Sequence, residues 1–281
     1  MFVAVASGKG GTGKTTVAVS LALALADTQK VQFLDCDVEE PNGHLFLKPH
    51  LMYRESVTVP VPRVEQSKCT FCGRCAEVCA YHALVVLPKE ILTFPEICHS
   101  CGGCWQFCPE KAIVPVDQEI GWIEGGLAGE VEFVHGCLKV GTAISPPLIQ
   151  SVKDRRLSEA AVIADVPPGT SCPVIKAVEG SDFCLLVTEP TPFGLHDLEL
   201  AAEMIRELNI PGGVIINRSD GKDGDVERFC RNRNLPVLLK VPLDREIAVG
   251  YAGGLPLLAV QPRWKKDFII LWETCERMRR R

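Results

Sequence analysis

Eight cysteines fall in two runs of one spacing, Cys69-x2-Cys72-x2-Cys75-x3-Cys79 and Cys98-x2-Cys101-x2-Cys104-x3-Cys108. Three thiolates on a tight loop can ligate three irons of one cubane, while the fourth, further along, points toward a second cluster. A zinc ribbon uses paired C-x2-C knuckles and four ligands per metal, and does not require two identical four-cysteine runs. Both runs continue into a similar tail, Ala80-Tyr81-His82-Ala83-Leu84 against Pro109-Glu110-Lys111-Ala112-Ile113, so the segment is an internal repeat. His82 and His99 lie near these runs and read as loop or surface residues.

A second chemistry-bearing motif opens the chain. Gly8-Lys9-Gly10-Gly11-Thr12-Gly13-Lys14-Thr15 fits G-x-x-x-x-G-K-[ST], a P-loop, with Thr16 following it. In such a loop backbone N–H groups and a helix N-terminus cradle phosphate oxygens. Lys14 is expected to reach the β- and γ-phosphates, and Thr15 to ligate Mg2+.

These motifs need a strand before the loop and a helix after it, and the sequence supplies both. Apolar runs mark strands at Phe2–Ala6, Val31–Leu34, Val131–Val134, Ala161–Ala164, Phe183–Val187, Gly213–Ile216 and Val237–Val241. An extended stretch, Val57–Val64, is interrupted by Pro60 and Pro62. Helical patterns cover Lys14–Ala26, His196–Leu208, Asp225–Arg233 and 264–281. Strands alternating with helices, apolar on both faces, predict an α/β fold with a doubly wound, mostly parallel sheet. The cysteine segment, 67–116, interrupts this alternation. The expected organisation is one α/β domain carrying the P-loop, from 1–66 and 117–281, with 67–116 inserted.

Bulk properties narrow the function. The chain has 281 residues, 47% of them hydrophobic, enough for one large domain with a small one attached. A net charge of −5 gives no basic footprint for nucleic acid. The longest apolar run, Val17–Ala26, is ten residues, about half of a bilayer span. A strand beginning at Phe2 leaves no room for a charged leader, so a cytoplasmic protein is expected. Cysteine clustering also fits a cytosolic metalloprotein better than a disulfide framework.

The cysteine runs resemble the bacterial two-cluster ferredoxin. The resemblance implies two [4Fe–4S] clusters, one on Cys69, Cys72, Cys75 and Cys108, the other on Cys98, Cys101, Cys104 and Cys79. The sequence departs from that pattern in having Ala80, not proline, after the first run. The early Lys9 makes the P-loop similar to the deviant Walker A loop of the MinD/ParA/Mrp and nitrogenase iron protein group. In that group this lysine reaches the nucleotide of a partner subunit, which implies an ATP-dependent homodimer. Asp35-Cys36-Asp37 resembles switch I, with Asp37 positioning the attacking water. Asp165-Val166-Pro167-Pro168-Gly169 resembles the Walker B/switch II segment, with Asp165 holding Mg2+ through water and Gly169 sensing the γ-phosphate. Asn217 and Arg218 stand where the group contacts adenine. With Thr188–Gly194 added, the resemblance over nearly the full length is to a MinD-superfamily ATPase carrying an inserted ferredoxin domain.

That resemblance implies ATP/ADP and Mg2+ as ligands, and a redox partner or a metallocofactor client. The cysteine segment leaves the chain after switch I and returns before switch II, which favours ATP-gated electron transfer or cluster assembly. The alternative is a positioning or scaffold ATPase whose clusters are structural or redox-sensing. Cys137 and Cys172 stand about where the nitrogenase iron protein has its cluster cysteines, which implies a third cluster bridging a dimer. The C-x2-C of Mrp-type scaffolds is absent. Cys36, Cys184, Cys230 and Cys275 read as packed side chains. Trp264, Phe268, Leu271, Trp272, Cys275 and Met278 form an apolar stripe before Arg277, Arg279, Arg280 and Arg281. This reads as a last helix packed on the sheet rather than a membrane anchor.

Overall fold

The computed structural model describes residues 1–279; Arg280 and Arg281, the end of the basic terminus, lie outside the described residues. The strands are β1 (Phe2–Ala6), β2 (Val31–Asp35), β3 (His50–Val64), β4 (Leu84–Leu87), β5 (Glu90–Thr93), β6 (Ile113–Ala128), β7 (Val131–Leu138), β8 (Ala161–Asp165), β9 (Phe183–Thr188), β10 (Gly212–Ser219) and β11 (Val237–Pro242). Nine of them form one sheet in the order β11-β10-β9-β1-β8-β2-β7-β6-β3. From β11 to β7 every pairing is parallel; β6 and β3 add antiparallel strands at one edge.

The central strands read as unbroken apolar runs because both faces are covered. In β1, Phe2, Ala4 and Ala6 enter one core while Val3 and Val5 enter the other. The helices are α1 (Lys14–Leu25), α2 (Gly43–Leu47), α3 (Arg74–Glu77), α4 (Gly103–Gln106), α5 (Pro146–Lys153), α6 (Cys172–Val178), α7 (Pro192–Glu207), α8 (Gly224–Asn232), α9 (Arg245–Ala252), α10 (Leu257–Val260) and α11 (Lys265–Arg279). Helix α1 is apolar nearly all round because the sheet lies on one side of it and α11 on the other. The stripe of α11 is spent in that core, with Phe268, Leu271, Trp272 and Cys275 buried. No helix among the described residues is long and apolar enough to cross a membrane.

One large feature escapes the pattern of the sequence. β3 and β6 form an antiparallel ribbon paired from His50↔Leu127 to Val64↔Ile113. Residues between these strands hang from its far end. They contain only the hairpin β4-β5, the one-turn helices α3 and α4, and two short 3-10 turns, Gln66–Lys68 and Pro95–Ile97. The ribbon is half-hidden in the sequence because the first half of β3, His50–Ser56, is exposed and so lacks apolar alternation.

Candidate functional site

The P-loop joins β1 to α1. Gly13 adopts φ 92°, the left-handed region that glycine tolerates, and turns the chain into the first helical residue. A Cβ on Gly8 would fall 2.1 Å from the Asp197 carbonyl oxygen, so only glycine lets the loop lie against α7. Lys14, Thr12 and Thr15 are buried. Asn217 Nδ2 donates to the Thr12 carbonyl at 2.7 Å, which ties the end of β10 to the loop. Gly169 N–H donates to Ser7 O at 3.0 Å and does the same for the segment after β8.

Three carboxylates gather at the carboxyl ends of β2 and β8. Thr15 Oγ1 donates to Asp165 Oδ2 at 2.5 Å. Asp35 accepts from the backbone N–H groups of Asp37, Asn42 and Gly43 and so fixes the loop after β2. Burial pushes the Asp165 carboxyl up to about 7, against the pull of Thr15 and Lys14. Burial also lifts Asp37 to about 6 despite Lys14, and raises Asp35 well above the usual carboxylate range, reinforced by Asp165. Asp165 Oδ1 is buried without a hydrogen-bond partner. A threonine hydroxyl, an orphaned carboxylate oxygen and mutually repelling acids fit a hard, oxygen-ligated divalent cation such as Mg2+.

Lys9 is engaged within its own chain, with Nζ 3.7 Å from Glu189 Oε2. Glu189 also receives the Arg218 guanidinium. Sequence reading passed over Glu189 as a partner for these residues, because nothing in its spacing points back to the P-loop.

The cysteine segment folds with internal two-fold likeness. Phe71 and Ser100 take positive φ two residues after Cys69 and Cys98, and Gly73 and Gly102 do so before α3 and α4. The sulfurs of Cys69, Cys98, Cys79 and Cys108 accept backbone N–H bonds at 3.3–3.4 Å from Phe71, Ser100, Ala83 and Ala112. Cys69, Cys72, Cys75 and Cys108 line one small pocket, floored by Ile91 and Ile113. On the other side, burial raises the Cys98 and Cys104 thiols, with Cys101 and Cys79 close enough to reinforce the shift at Cys98, and Cys98 and Cys101 that at Cys104. No disulfide joins the cysteines. Two groups of four thiols, with N–H groups already aimed at sulfur, suit a thiolate-ligated cluster in each.

Cys137 is half-buried on β7, and Cys172 is exposed as the first residue of α6. Cys36, Cys184, Cys230 and Cys275 are buried. Sequence reading missed Glu124 and His135, which strand register brings beside Cys137, and His44 of α2, whose ring packs against that of His135. The His135–Cys137 alternation within one strand was the available signal.

The family of CobQ/CobB/MinD/ParA nucleotide-binding domains matches residues 3–257. Two uncharacterized proteins of Methanocaldococcus jannaschii are 30% and 32% identical, over 90% and 88% of this chain and 90% and 86% of theirs. An iron–sulfur cluster carrier protein of Pyrococcus abyssi is 24% identical over 91% of this chain and 78% of its own. Among solved structures, the septum site-determining protein MinD of Pyrococcus horikoshii, complexed with Mg-ADP, superposes with a TM-score of 0.58. It shares 21% identity, with 97% of this chain and 94% of that one covered, and so speaks for the fold. The chain belongs to the CobQ/CobB/MinD/ParA nucleotide-binding family and is a relative of iron–sulfur cluster carrier proteins.

Proposed function

We propose that this protein binds and hydrolyses ATP and couples a nucleotide-driven homodimer switch to electron transfer or to iron–sulfur or metallocofactor assembly in the cytoplasm. The observation that carries this reading is the short path from switch I to the second cysteine group. Val38 O accepts from Leu138 N–H at 2.8 Å, and Ser145 Oγ donates to Glu39 Oε1 at 3.0 Å. Between these contacts the loop 139–144 reaches the cysteine segment. Ala143 N–H donates to Glu96 O at 3.1 Å, and Lys139, Val140, Gly141, Thr142 and Ile144 line a pocket with Cys98. Two hydrogen-bonded steps therefore link the neighbours of Asp37 to Glu96, two residues before Cys98.

In this reading the P-loop N–H groups and Lys14 hold the phosphates, Gly8 to Thr16 form the cradle, and Asn217 and Arg218 border the base. Thr15 and Asp165 hold Mg2+, which when bound screens the phosphate charge. Asp37 orients the attacking water, and its neighbours Val38 and Glu39 move with it. Lys9 must leave Glu189 to reach the nucleotide of a partner subunit. Cys69, Cys72, Cys75 and Cys108, and Cys98, Cys101, Cys104 and Cys79, hold two [4Fe–4S] clusters, which supply one-electron redox chemistry when bound. Residues 67–116 are the ferredoxin-like insertion in this assignment. A redox partner protein or metallocofactor client would meet that insertion, and similarity to carrier proteins supports a cluster-related task.

Measuring the midpoint potential of the reconstituted protein with ADP and with ATP tests the coupling. A shift between nucleotide states is expected. An unchanged potential, accompanied by ATP-dependent binding to a surface, would instead make this a positioning ATPase.

A further inference from the structure

A second set of ligand-type side chains lies outside both sites, where the ribbon joins the ATPase sheet. In the β6–β7 pairing Glu124 stands opposite His135, and Trp122 opposite Cys137. Because side chains alternate along a strand, Glu124, His135 and Cys137 all point to one face. Their donor atoms lie within 4.8 Å of one another. His135 Nε2 is 3.0 Å from Glu124 Oε2. His135 is only 3% exposed, and its Nδ1 has no partner. The His44 imidazole, 5.4 Å from that of His135 between ring centroids, likewise has a buried Nδ1 without a partner. Buried polar groups are ordinarily satisfied, so this cluster is short of partners.

We propose that Glu124, His135 and Cys137 form a mononuclear zinc site that fastens the ribbon to the sheet. A thiolate, an imidazole and a carboxylate make a mixed S/N/O set suited to a borderline cation. Zinc takes such ligands tetrahedrally, with three protein donors leaving one position for water. Tetrahedral bonds of zinc length place neighbouring donors roughly 3.3–3.8 Å apart, so small side-chain rotations close the present cluster on the ion. One thiolate and one carboxylate neutralise a divalent cation, which suits a half-buried position. Glu124 Oε1 is already steadied by Arg54 at 3.6 Å, and the Arg54 guanidinium lies 4.0 Å from the centroid of the Trp122 ring. An outer partner of this kind orients a ligating carboxylate.

The site would bridge the strand returning from the cysteine segment, β6, to β7. It also stands one strand from Asp35, which pairs in register with His135. Cys137 thereby belongs to its own chain rather than to a cluster shared across a dimer.

Elemental analysis of the full-length, iron-loaded chain after incubation with zinc chloride and desalting tests this. About one zinc per chain is expected, with iron unchanged, and a zinc K-edge spectrum of one sulfur and three nitrogen or oxygen neighbours. Cys137→Ser and Glu124→Gln should each lower bound zinc at least about tenfold, with iron and nucleotide binding kept. His135→Gln, at a buried position, is read only if it too retains nucleotide binding. The proposal is overturned if zinc stays below about a tenth per chain, if Cys137→Ser retains it, or if its shell is all sulfur. Loss of iron in Cys137→Ser would return that residue to a cluster. Zinc is counted independently of ATP and of redox potential, so this result stands apart from the coupling described above.

Discussion

The ATP edge and the cysteine segment are held together by different means. The edge rests on strands buried on both faces, and its loops are pinned by Asn217, Gly169 and Asp35 before any ligand arrives. Between Val64 and Ile113 the segment has one two-stranded hairpin and two single-turn helices. Its buried side chains are Ala83, Leu84, Ile91 and Ala112, besides Cys75, Cys98 and Cys104. So small a core needs a metal or a covalent staple, and no disulfide is present. The nucleotide site is prepared in advance, whereas in the proposed reading the cysteine segment would be completed by the clusters it holds.

The sharpest way to break this contrast is to remove iron. Chelation of the reconstituted protein should speed amide exchange in 65–112 by at least about a hundredfold, while β1 and β8 keep their protection. Equal protection of the segment with and without iron would show that the polypeptide alone holds it. The reverse operation comes next. Lys14→Ala should weaken ATP binding roughly ten- to a hundredfold, the worth of a hydrogen bond to charged phosphate, without changing iron content. Calorimetry and iron assay on one sample decide this, and loss of iron would mean that the two regions do not fold independently.

How far each region could be read beforehand follows the same division. β1, β2, β8 and β9 were legible to within a residue or so, since burial on both faces leaves an uninterrupted apolar run. The P-loop was legible because phosphate binding constrains glycine, lysine and threonine at fixed offsets. The cysteine runs were legible as an internal repeat, and the backbone repeats with them, Phe71 and Ser100, and Gly73 and Gly102, taking matching positive φ. β6 was not: Gly121, Gly125 and Gly126 and a polar exposed face erase the strand pattern over Ile113–Ala128. The Lys9–Glu189 pair was invisible because it joins two separate loops, and Glu124 because only register sets it against the His135–Cys137 alternation of β7.

A smaller effect separates the regions by pH. In the nucleotide-free, metal-free chain Asp37 and Asp165 are raised to about 6 and about 7 by burial. The folded chain therefore binds more protons than the unfolded one between the ordinary carboxylate range and those values. The stability that Asp37 and Asp165 contribute therefore falls as pH rises from about 4 to about 7. Thermal melts should show Tm dropping by a few degrees over that range, at about 2–4 °C per kcal/mol for a chain of this size. Mg2+ with ADP should abolish the drop, because the cation favours the ionised carboxylates. A Tm that rises over the window, or one that ignores Mg2+ and ADP, would remove the acidic cluster as the cause.

The smallest expected effect concerns the thin connection between the regions. Ser145 lies outside the phosphate cradle and outside the cysteine groups, and its hydroxyl donates to Glu39 beside switch I. A neutral donor to a carboxylate contributes on the order of 1–3 kcal/mol when both are held in place. Ser145→Ala should leave ATP affinity within about threefold, since that bond touches no phosphate. It should reduce the difference in cluster potential between ADP and ATP states, because one of the two hydrogen bonds from switch I to the 138–145 loop is gone. Retention of the full difference would route coupling through Val38 and Leu138 alone, and Val38→Pro could not test that because Val38 contributes its carbonyl, not its N–H. A loop deletion that keeps Leu138 and shortens 140–142 separates the two routes. It leaves the Val38 contact in place while removing the reach to Glu96, so a potential difference that survives it would place the coupling outside this loop altogether.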